Sequence, residues 1–457
     1  MNTKYSKKSL IIIIFVLAFV LRSGYSLYAY KNNFMENLGD DWGRWQYALN
    51  VIAQGPFVTQ VEHFYKPEAT RGPVLPWIMS ILILFFGENW LPIFFLNAFI
   101  GSLTCILIFL ICEQHIKNRI LGLFAGLWAA FHVSFIRYTA TAGNEVWVPF
   151  FIVLMVFILL SLKKLKSWDK SLYKNLFLLS LIFALLIHTD ERYLSYLPFV
   201  FMVILFWDHR NLINGIKKGM LFVFVVLILM VPWIIRNYVV FDNLVILTTR
   251  TASLTSKFIN YNDDLVFKHT SDCFHLSETQ IDSVISGLKT KFDDGDDIDP
   301  LQIEAMKNGH IPHLFSTSEA FWSRFKLLWQ PIHLKGFYRI TGFNYEGKWS
   351  LRHNLAVGLS YGLLIPFLFI GLVKLYHQKK KIAIFLFSIL LYHSTIHVLF
   401  VPYTRDRYRI PVDAIVIILG VYGILTSYRY IKKRVSHRNV DDTSLFPKKN
   451  DMPSIPS

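Results

Sequence analysis

The sequence predicts an all-α polytopic membrane protein with about ten transmembrane helices, interfacial helices in its first external loop and a mixed external domain. Three observations support this fold class. The 457 residues are 54% hydrophobic with a mean hydropathy of +0.40, more apolar than ordinary soluble domains. Apolar segments recur that are long enough to cross roughly 30 Å of hydrocarbon. Short basic stretches separate many of them, as is typical of cytoplasmic loops.

Ten segments have the length and composition of membrane-spanning helices. They are residues 9–28, 90–112, 120–136, 146–162, 175–188, 193–207, 219–235, 355–376, 382–401 and 412–428. The first segment is long for a signal peptide and has no clear small-residue cleavage site, so we interpret it as a helix that stays in the protein.

The orientation follows from the lysines and arginines near the helix ends. They concentrate at the N-terminus and in five later stretches, residues 115–119, 163–174, 209–218, 377–381 and 429–438. With ten helices, all of these stretches lie in the cytoplasm, together with both termini. The formal net charge of +16 is therefore explained by loops beside the membrane, and nucleic acid is not a predicted partner.

An eleventh apolar segment, residues 73–87, is predicted not to span the membrane. It contains Pro73 and Pro76, and as a helix it would be only about 22 Å long. A crossing here would also move every later basic loop to the outside, against the charge rule. We expect this segment to lie along the outer interface or to re-enter the membrane.

The same charge pattern divides the chain into four regions. Residues 1–236 form an N-terminal transmembrane module whose first external loop covers residues 29–89. Residues 237–353 form the external domain, residues 354–430 the C-terminal transmembrane helices, and residues 431–457 a polar cytoplasmic tail predicted to be disordered.

Metal-binding motifs are weak in this sequence. The acidic run from Asp293 to Asp299 lacks the closing glutamate of a calcium loop, so we interpret it as a solvent-exposed loop. Histidines and cysteines do not occur at metal-ligand spacing. A tightly held metal ion is therefore not predicted.

The first external loop concentrates ionisable residues. Asp40 and Asp41 follow the first helix, and Tyr65, Lys66 and Arg71 come after them. Adjacent carboxylates provide a proton acceptor, whereas lysine and arginine bind anionic groups. A hydrated loop rim would have the same composition, so these residues alone leave both interpretations open.

Further ionisable residues fall at the same face. They are Arg137, Asn144-Glu145, His188, Asp190, Glu191, Arg192, Arg236, Arg405, Arg407 and Arg409. Single arginines at helix ends often only reach the lipid headgroups, but a collection of ionisable groups at membrane depth indicates a functional site. Arg22 lies inside the first apolar segment, where we expect it to face the bundle and pair with an acid or a carbonyl group.

The order of these motifs resembles the bacterial lipid-linked sugar transferases related to aminoarabinose transferase and protein O-mannosyltransferase, in the C-type glycosyltransferase superfamily. The matching pieces are Arg22, Asp40-Asp41 with Trp45, Tyr47 and Ala48, Arg71-Gly72-Pro73-Val74-Leu75-Pro76, Asn97-Ala98-Phe99-Ile100-Gly101, Asn144-Glu145, Pro232-Trp233 with Arg236-Asn237-Tyr238, and Arg407-Tyr408-Arg409-Ile410-Pro411. They cover roughly the first 250 residues well and the last 60 more loosely.

The chain departs from the family pattern at three places. It has two aspartates, Asp40 and Asp41, where the family usually has one. Asn144 replaces a common threonine, and Asp190-Glu191-Arg192 replaces a common Arg-Pro or Lys-Pro. The proton acceptor is therefore not assigned between the two aspartates, and substrate contacts in the turn at 190–192 are not predicted.

The resemblance implies transfer of a sugar from a polyprenyl-phosphate donor, such as an undecaprenyl phosphate sugar, at the outer face of a bacterial plasma (inner) membrane. The acceptor would be a glycan, a lipid or a protein, and the displacement would invert the anomeric carbon. Membrane lipids are the other expected partner. The implied roles are catalytic for Asp40, Asp41 and Glu145, donor-phosphate binding for Lys66, Arg71, Arg236 and Arg407, and substrate binding for Tyr65, Arg137 and Arg409.

Three alternatives stay open at this stage. Glu145 either orients the acceptor or helps to bind a divalent cation, which is the one cofactor the resemblance leaves open. A transporter or flippase of a lipid-linked sugar would instead place its ionisable residues near the bilayer midplane, often within repeats. A glycan polymerase or ligase would lack the acidic loop directly after the first helix.

Overall fold

The computed structural model describes residues 6–32, 38–55, 71–163, 165, 168–208, 211–241, 244–248, 318–331, 355–400 and 406–444, and within these ranges every regular element is helical. The helices are α1 (Lys7–Lys31), α2 (Leu38–Gln54), α3 (Val74–Phe86), α4 (Leu91–Leu110), α5 (Arg119–Phe131), α6 (Val133–Arg137), α7 (Trp147–Leu162), α8 (Lys170–Thr189), α9 (Tyr196–Trp207), α10 (Leu212–Phe241), α11 (Ser318–Trp329), α12 (Leu364–Phe400) and α13 (Ile410–Ser444). Short π-helices lie at Ile111–Ile116 and Gly358–Gly362, and 3₁₀ turns at Tyr138–Ala140, Glu191–Ser195 and Asp406–Arg409.

Six of the described helices are long and apolar enough to cross a membrane. A seventh is added if the bent pair Arg119–Phe131 and Val133–Ala140, which turn by 56°, is counted as one span. The multi-pass membrane architecture predicted from the sequence is therefore confirmed. Shorter apolar helices occur as well, among them α3, whose 13 residues would cover about 20 Å at the usual rise per residue.

Helices are present at all ten predicted positions, but their lengths differ from the predictions. α7 has 16 residues and α9 has 12, fewer than a perpendicular crossing requires. Most of the eighth predicted span and the ninth lie in α12, which consists of two helices that meet at a kink at Lys379, where the backbone is not helical (φ −143°, ψ 60°). The count of ten spans stays a prediction.

The C-terminal helix α13 is the most enclosed part of the bundle. Every residue from Arg409 to Gly423 is buried, and α13 packs against α5, α7 and α12. A Cβ atom at Gly371 of α12 would collide with the carbonyl oxygen of Leu419, and one at Gly423 with that of Phe367. These glycines therefore let the two helices approach at backbone distance, as small residues do in membrane bundles.

Arg22 joins three helices inside the bundle. Its fully buried guanidinium donates to the carbonyl oxygens of Ala129 and Ala130, at 3.1 and 3.3 Å, and to Cys105 Sγ at 3.4 Å. Ala129 and Ala130 lie in the last turn of α5, where helix carbonyls lack the usual i+4 donors and favour a cation. The predicted carbonyl partnership of Arg22 is therefore confirmed, and it stabilises the α5–α6 bend.

One part of the predicted tail differs in the structure. α13 continues to Ser444, so residues 431–444 are helical rather than disordered. The chain has neither glycine nor proline between Gly423 and Pro447, and helix propagation adds one hydrogen bond per residue until such a residue stops it. Residues 445–457, the acidic run at 293–299 and most of the predicted external domain lie outside the described residues.

Candidate functional site

The two ends of the helix bundle differ in chemistry. At one end, Lys7 pairs with Glu113 at 3.0 Å and Lys218 pairs with Asp208 at 2.8 Å, both within the predicted cytoplasmic side. The opposite end collects the predicted catalytic and binding residues. Of these, Asp41, Arg71, Arg137, Glu145, Arg236, Arg407 and Arg409 have described side chains. Asp40 belongs to α2 without a described side chain, and Tyr65 and Lys66 lie outside the described residues.

Helix α2 places the acidic motif against the bundle. Asp41 is 1% exposed, and one of its carboxylate oxygens lies 3.9 Å from Arg44 one turn later. Trp45 stacks on Trp90 at a centroid distance of 4.1 Å. Trp45 and its neighbour Ala48 belong to the same apolar cluster as Ala140 and Ala142. This packing brings the first acidic motif next to the turn that carries the second.

Arg71 enters the site over a glycine of α2. A Cβ atom at Gly43 would collide with the Arg71 guanidinium, and one at Gly72 with the carbonyl oxygen of His188. Gly43 and Gly72 thus allow the segment at 71–73 to lie between α2 and the end of α8. The glycine after Arg71 in the matched sequence fragment is therefore explained sterically, because any side chain at Gly72 would collide with the backbone of α8.

We expect Gly72→Ala to destabilise the protein by about 1–3 kcal/mol, the usual cost of overpacking, because its methyl group would meet backbone rather than a movable side chain. Gly24→Ala is the matched control, since nothing lies within 4 Å of that position. Thermal unfolding of both purified variants measures the difference. Equal midpoints for the two variants would contradict the steric assignment.

The second acidic motif lies in a turn held by Asn97. The Asn97 amide donates to the carbonyl oxygens of Thr139 and Thr141, at 3.3 and 2.6 Å, and Trp147 Nε1 donates to Asn97 Oδ1 at 2.9 Å. Asn97, the first residue of the matched fragment at 97–101, thus anchors the turn through these hydrogen bonds. Glu145 lies in the same turn, four residues after Thr141.

Charged side chains from three parts of the chain meet around this turn. Glu145 Oε1 lies 3.7 Å from Arg407 Nη1, and the Asn144 amide donates to Asp190 at 3.3 Å. Asp190 in turn accepts two hydrogen bonds from the Arg192 guanidinium. The turn at 190–192, where the family pattern was absent, therefore contributes to this cluster.

The Asp190–Arg192 pair determines the charge state of the turn. Burial raises the pKa of the Asp190 carboxyl. The adjacent Arg192 guanidinium and the hydrogen bonds from Arg192 and Asn144 lower this pKa by more than burial raises it, so it lies below its ordinary value. Asp190 is therefore ionised at neutral pH. Asp190 accepts the hydrogen bond from Asn144 and so holds this residue in place. Glu145 follows Asn144 directly in the chain.

Arg236 contacts a separate group of aromatic side chains, which includes Trp233 and Phe241. Its guanidinium lies 4.8 Å from the Trp233 ring centroid and 5.8 Å from that of Phe241, and it donates to Asn237 at 3.0 Å. Trp233 also faces His188, at a centroid distance of 6.3 Å. This group therefore adjoins the same end of α8 that Gly72 contacts.

Two further predicted residues have different surroundings. Arg137 is half-buried at the end of α6. Arg409 is 2% exposed, donates to Asp413 at 2.8 Å and to the Leu328 carbonyl at 3.0 Å, and lies 3.3 Å from the Tyr361 ring centroid. These are the contacts of a structural cation, and substrate binding by Arg409 stays a prediction.

Sequence reasoning missed several members of this region. Asp413 lies within an apolar segment, one helical turn after Arg409, and this i,i+4 spacing of opposite charges was a usable signal. Tyr196 and His393 carried no such signal, because their partners lie about 200 residues away in the chain.

The carboxylates at this end do not converge on one point. Asp41, Glu145 and Asp190 each lie beside an arginine, and no group of three or more metal-ligating side chains occurs in the part of the chain that the structure describes. This arrangement does not fit a divalent cation held by these three carboxylates.

Comparison with known proteins gives a match to one family model over part of the chain and a likeness to solved structures. Residues 69–235 match the family model described as dolichyl-phosphate-mannose-protein mannosyltransferase, which confirms the predicted resemblance over the segment containing Arg71, Glu145 and the 232–235 part of the Trp233 motif. No curated protein sequence matches the chain significantly.

Two solved structures share the fold. The apo crystal structure of the Archaeoglobus fulgidus oligosaccharyltransferase aligns with a TM-score of 0.55 and 14% identity, covering 96% of this chain and 52% of that one. The same enzyme tethered to an acceptor peptide containing the NVT sequon aligns with a TM-score of 0.51 and 12% identity, covering 94% and 50%. The chain thus spans about half the length of these proteins.

Proposed function

We propose, from the match of residues 69–235 to the mannosyltransferase family and from the shared fold, that this chain is a membrane glycosyltransferase using a polyprenyl-phosphate sugar. One observation carries the proposal. The acidic helix α2, Arg71, the Asn144-Glu145 turn and Arg407 pack together at one end of the bundle, although they are far apart in sequence. In the proposed transfer, a carboxylate of this end would accept the acceptor's proton and neighbouring cations would stabilise the leaving phosphate.

The donor phosphate would be bound by arginines of this end. Arg71, Arg236 and Arg407 come from three separate parts of the chain, and preorganised cations stabilise charge that develops on a leaving group. Lys66 is the fourth predicted ligand. The polyprenyl tail would lie against the apolar outer surface of the bundle.

The transfer step needs one proton acceptor. An acceptor hydroxyl or amine gives its proton to Asp40 or Asp41, and the freed electron pair attacks the anomeric carbon. The bond from this carbon to the phosphate oxygen breaks, and the polyprenyl phosphate leaves with that electron pair. Direct displacement inverts the anomeric configuration. Glu145, held beside Arg407, would orient the acceptor.

The proposed activity is tested with purified protein and a panel of polyprenyl-phosphate sugars. We expect release of polyprenyl phosphate only when a matching acceptor is present, with the glycosylated acceptor identified by mass spectrometry. Sugar-lipid movement across vesicles without any release of polyprenyl phosphate would instead indicate a flippase.

We also propose ten spans, with both termini in the cytoplasm of a bacterial cell and the site at the outer face. In a Cys273→Ser background, a cysteine at Glu88 should react with an impermeant reagent from outside, and one at Lys217 only after the membrane is opened. Both positions are exposed, whereas Cys105 and Cys112 are buried. The reverse labelling pattern would refute this topology.

A further inference from the structure

A buried hydrogen-bond chain connects α9 to the turn that carries Arg407. Tyr196 Oη lies 2.6 Å from His393 Nδ1, and His393 Nε2 lies 2.6 Å from the Tyr408 carbonyl oxygen. Because a carbonyl oxygen only accepts, Nε2 carries the hydrogen. In the neutral ring, Nδ1 then accepts from the Tyr196 hydroxyl, so the carbonyl determines the tautomer and the two hydrogen bonds together fix the ring orientation.

The surroundings of this chain leave it little freedom. The side chains of Tyr196 and His393 are 0% exposed, and the Tyr193 ring packs against both, at centroid distances of 5.1 and 6.4 Å. A close-packed interior offers few alternative rotamers. The Tyr408 backbone is therefore held at a defined place relative to α9 and α12.

The Tyr408 ring in turn contacts two cations. The Arg192 guanidinium lies 4.4 Å from its ring centroid and the Arg407 guanidinium 5.2 Å from it. Both contacts are within the range of cation–π attraction. Arg192 is also fixed by Asp190, while Arg407 Nη1 lies 3.7 Å from Glu145. The position of Tyr408 thus determines where the Arg407 charge lies.

We propose that Tyr196 and His393 are positioning residues, which hold Tyr408 and through it aim the Arg407 guanidinium at the donor phosphate. This inference rests on the proposed function, because Arg407 is assigned there as a phosphate ligand. Neither residue touches the substrate. Their contribution passes through Arg407 and is lost when Arg407 is removed.

The test measures the dissociation constant of undecaprenyl phosphate for the purified full-length protein. Tyr196→Phe removes only the hydroxyl, and we expect it to weaken binding about tenfold, the upper range for one hydrogen bond. Tyr392→Phe is the matched control, because its hydroxyl donates to the Ser195 carbonyl at 2.6 Å, beside Tyr196, without being hydrogen-bonded to His393. We expect less than a twofold change there.

A double-mutant cycle separates positioning from general loosening of the fold. In an Arg407→Gln background, Tyr196→Phe should have no further effect on binding. A tenfold effect in that background, or equal effects of Tyr196→Phe and Tyr392→Phe, would refute the positioning role. If Tyr196→Phe does not fold, His393→Gln, which keeps one donor for the Tyr408 carbonyl, is compared with His393→Leu. Weaker binding by the leucine variant supports the proposal, and equal binding refutes it.

The wild-type protein distinguishes the two levels of inference. If it fails to bind undecaprenyl phosphate and to transfer sugar, the proposed function fails and this role with it. If it does both while Tyr196→Phe binds the lipid phosphate as tightly as wild type, only the positioning role is refuted.

Discussion

The double variant Asp40→Asn/Asp41→Asn is expected to lose sugar transfer by a factor of about 10²–10⁴, the usual contribution of a general base. An asparagine amide is nearly the same size as the carboxylate but does not accept a proton at neutral pH. Asp41 is buried on α2 beside Arg44, so one of the two candidate bases lies within the packed end of the bundle. Initial rates with saturating donor and acceptor measure the loss.

Single variants then assign the base, which the sequence left open between the two aspartates. The aspartate whose replacement alone reproduces the double variant is the base. Asp208→Asn, which changes a carboxylate at the opposite end of the bundle, should retain transfer and serves as the control. Thermal unfolding of each variant shows that it is folded, and full transfer by the folded double variant would refute the assignment.

Asp413→Leu is expected to destabilise the protein by about 3–5 kcal/mol, the cost of removing one partner from a buried ion pair. Arg409 and Asp413 are 2% and 0% exposed, and their charged groups are 2.8 Å apart. His132 Nε2 lies 3.8 Å from the other Asp413 oxygen, so the pair also contacts the α5–α6 bend. Without Asp413, Arg409 would remain charged inside the bundle. Thermal unfolding in detergent measures the change.

The double variant Arg409→Met/Asp413→Leu tests the physical reason. Replacing both charges by apolar groups of similar volume removes the uncompensated charge, so it should recover most of the lost stability. A double variant as unstable as Asp413→Leu would show that the packing around the leucine, rather than the unpaired arginine, causes the loss.

The fold could be predicted largely because the bilayer acts on short stretches of sequence. A helix must cross the hydrocarbon with its backbone hydrogen bonds internally satisfied, so apolar length and flanking charge are local signals. All ten predicted segments coincide with described helices. Their lengths were less predictable, because neighbouring helices rather than lipid surround segments such as α7, most of whose residues are buried.

The candidate site was predictable as a set of residues but not as a set of contacts. The topology predicted from the charges of the loops placed Asp41, Glu145 and Arg407 at one face of the membrane. In the structure, Glu145 Oε1 lies 3.7 Å from Arg407 Nη1. The same reasoning made no distinction between Arg407 and Arg409, two residues apart. One faces Glu145, while the other is held by Asp413. Helix packing, not sequence position, separates them.

Hydropathy and charge were enough to predict the membrane class, the positions of the helices and the end of the bundle at which acidic and basic residues collect, because both act locally against the bilayer. Which charged side chain contacts which could be read only from the packed helices. Arg22 is satisfied by α5 carbonyls, Arg409 by Asp413, and Tyr408 is held by His393 in contact with two arginines. Such pairings join residues far apart in the chain, and they depend on how the helices pack.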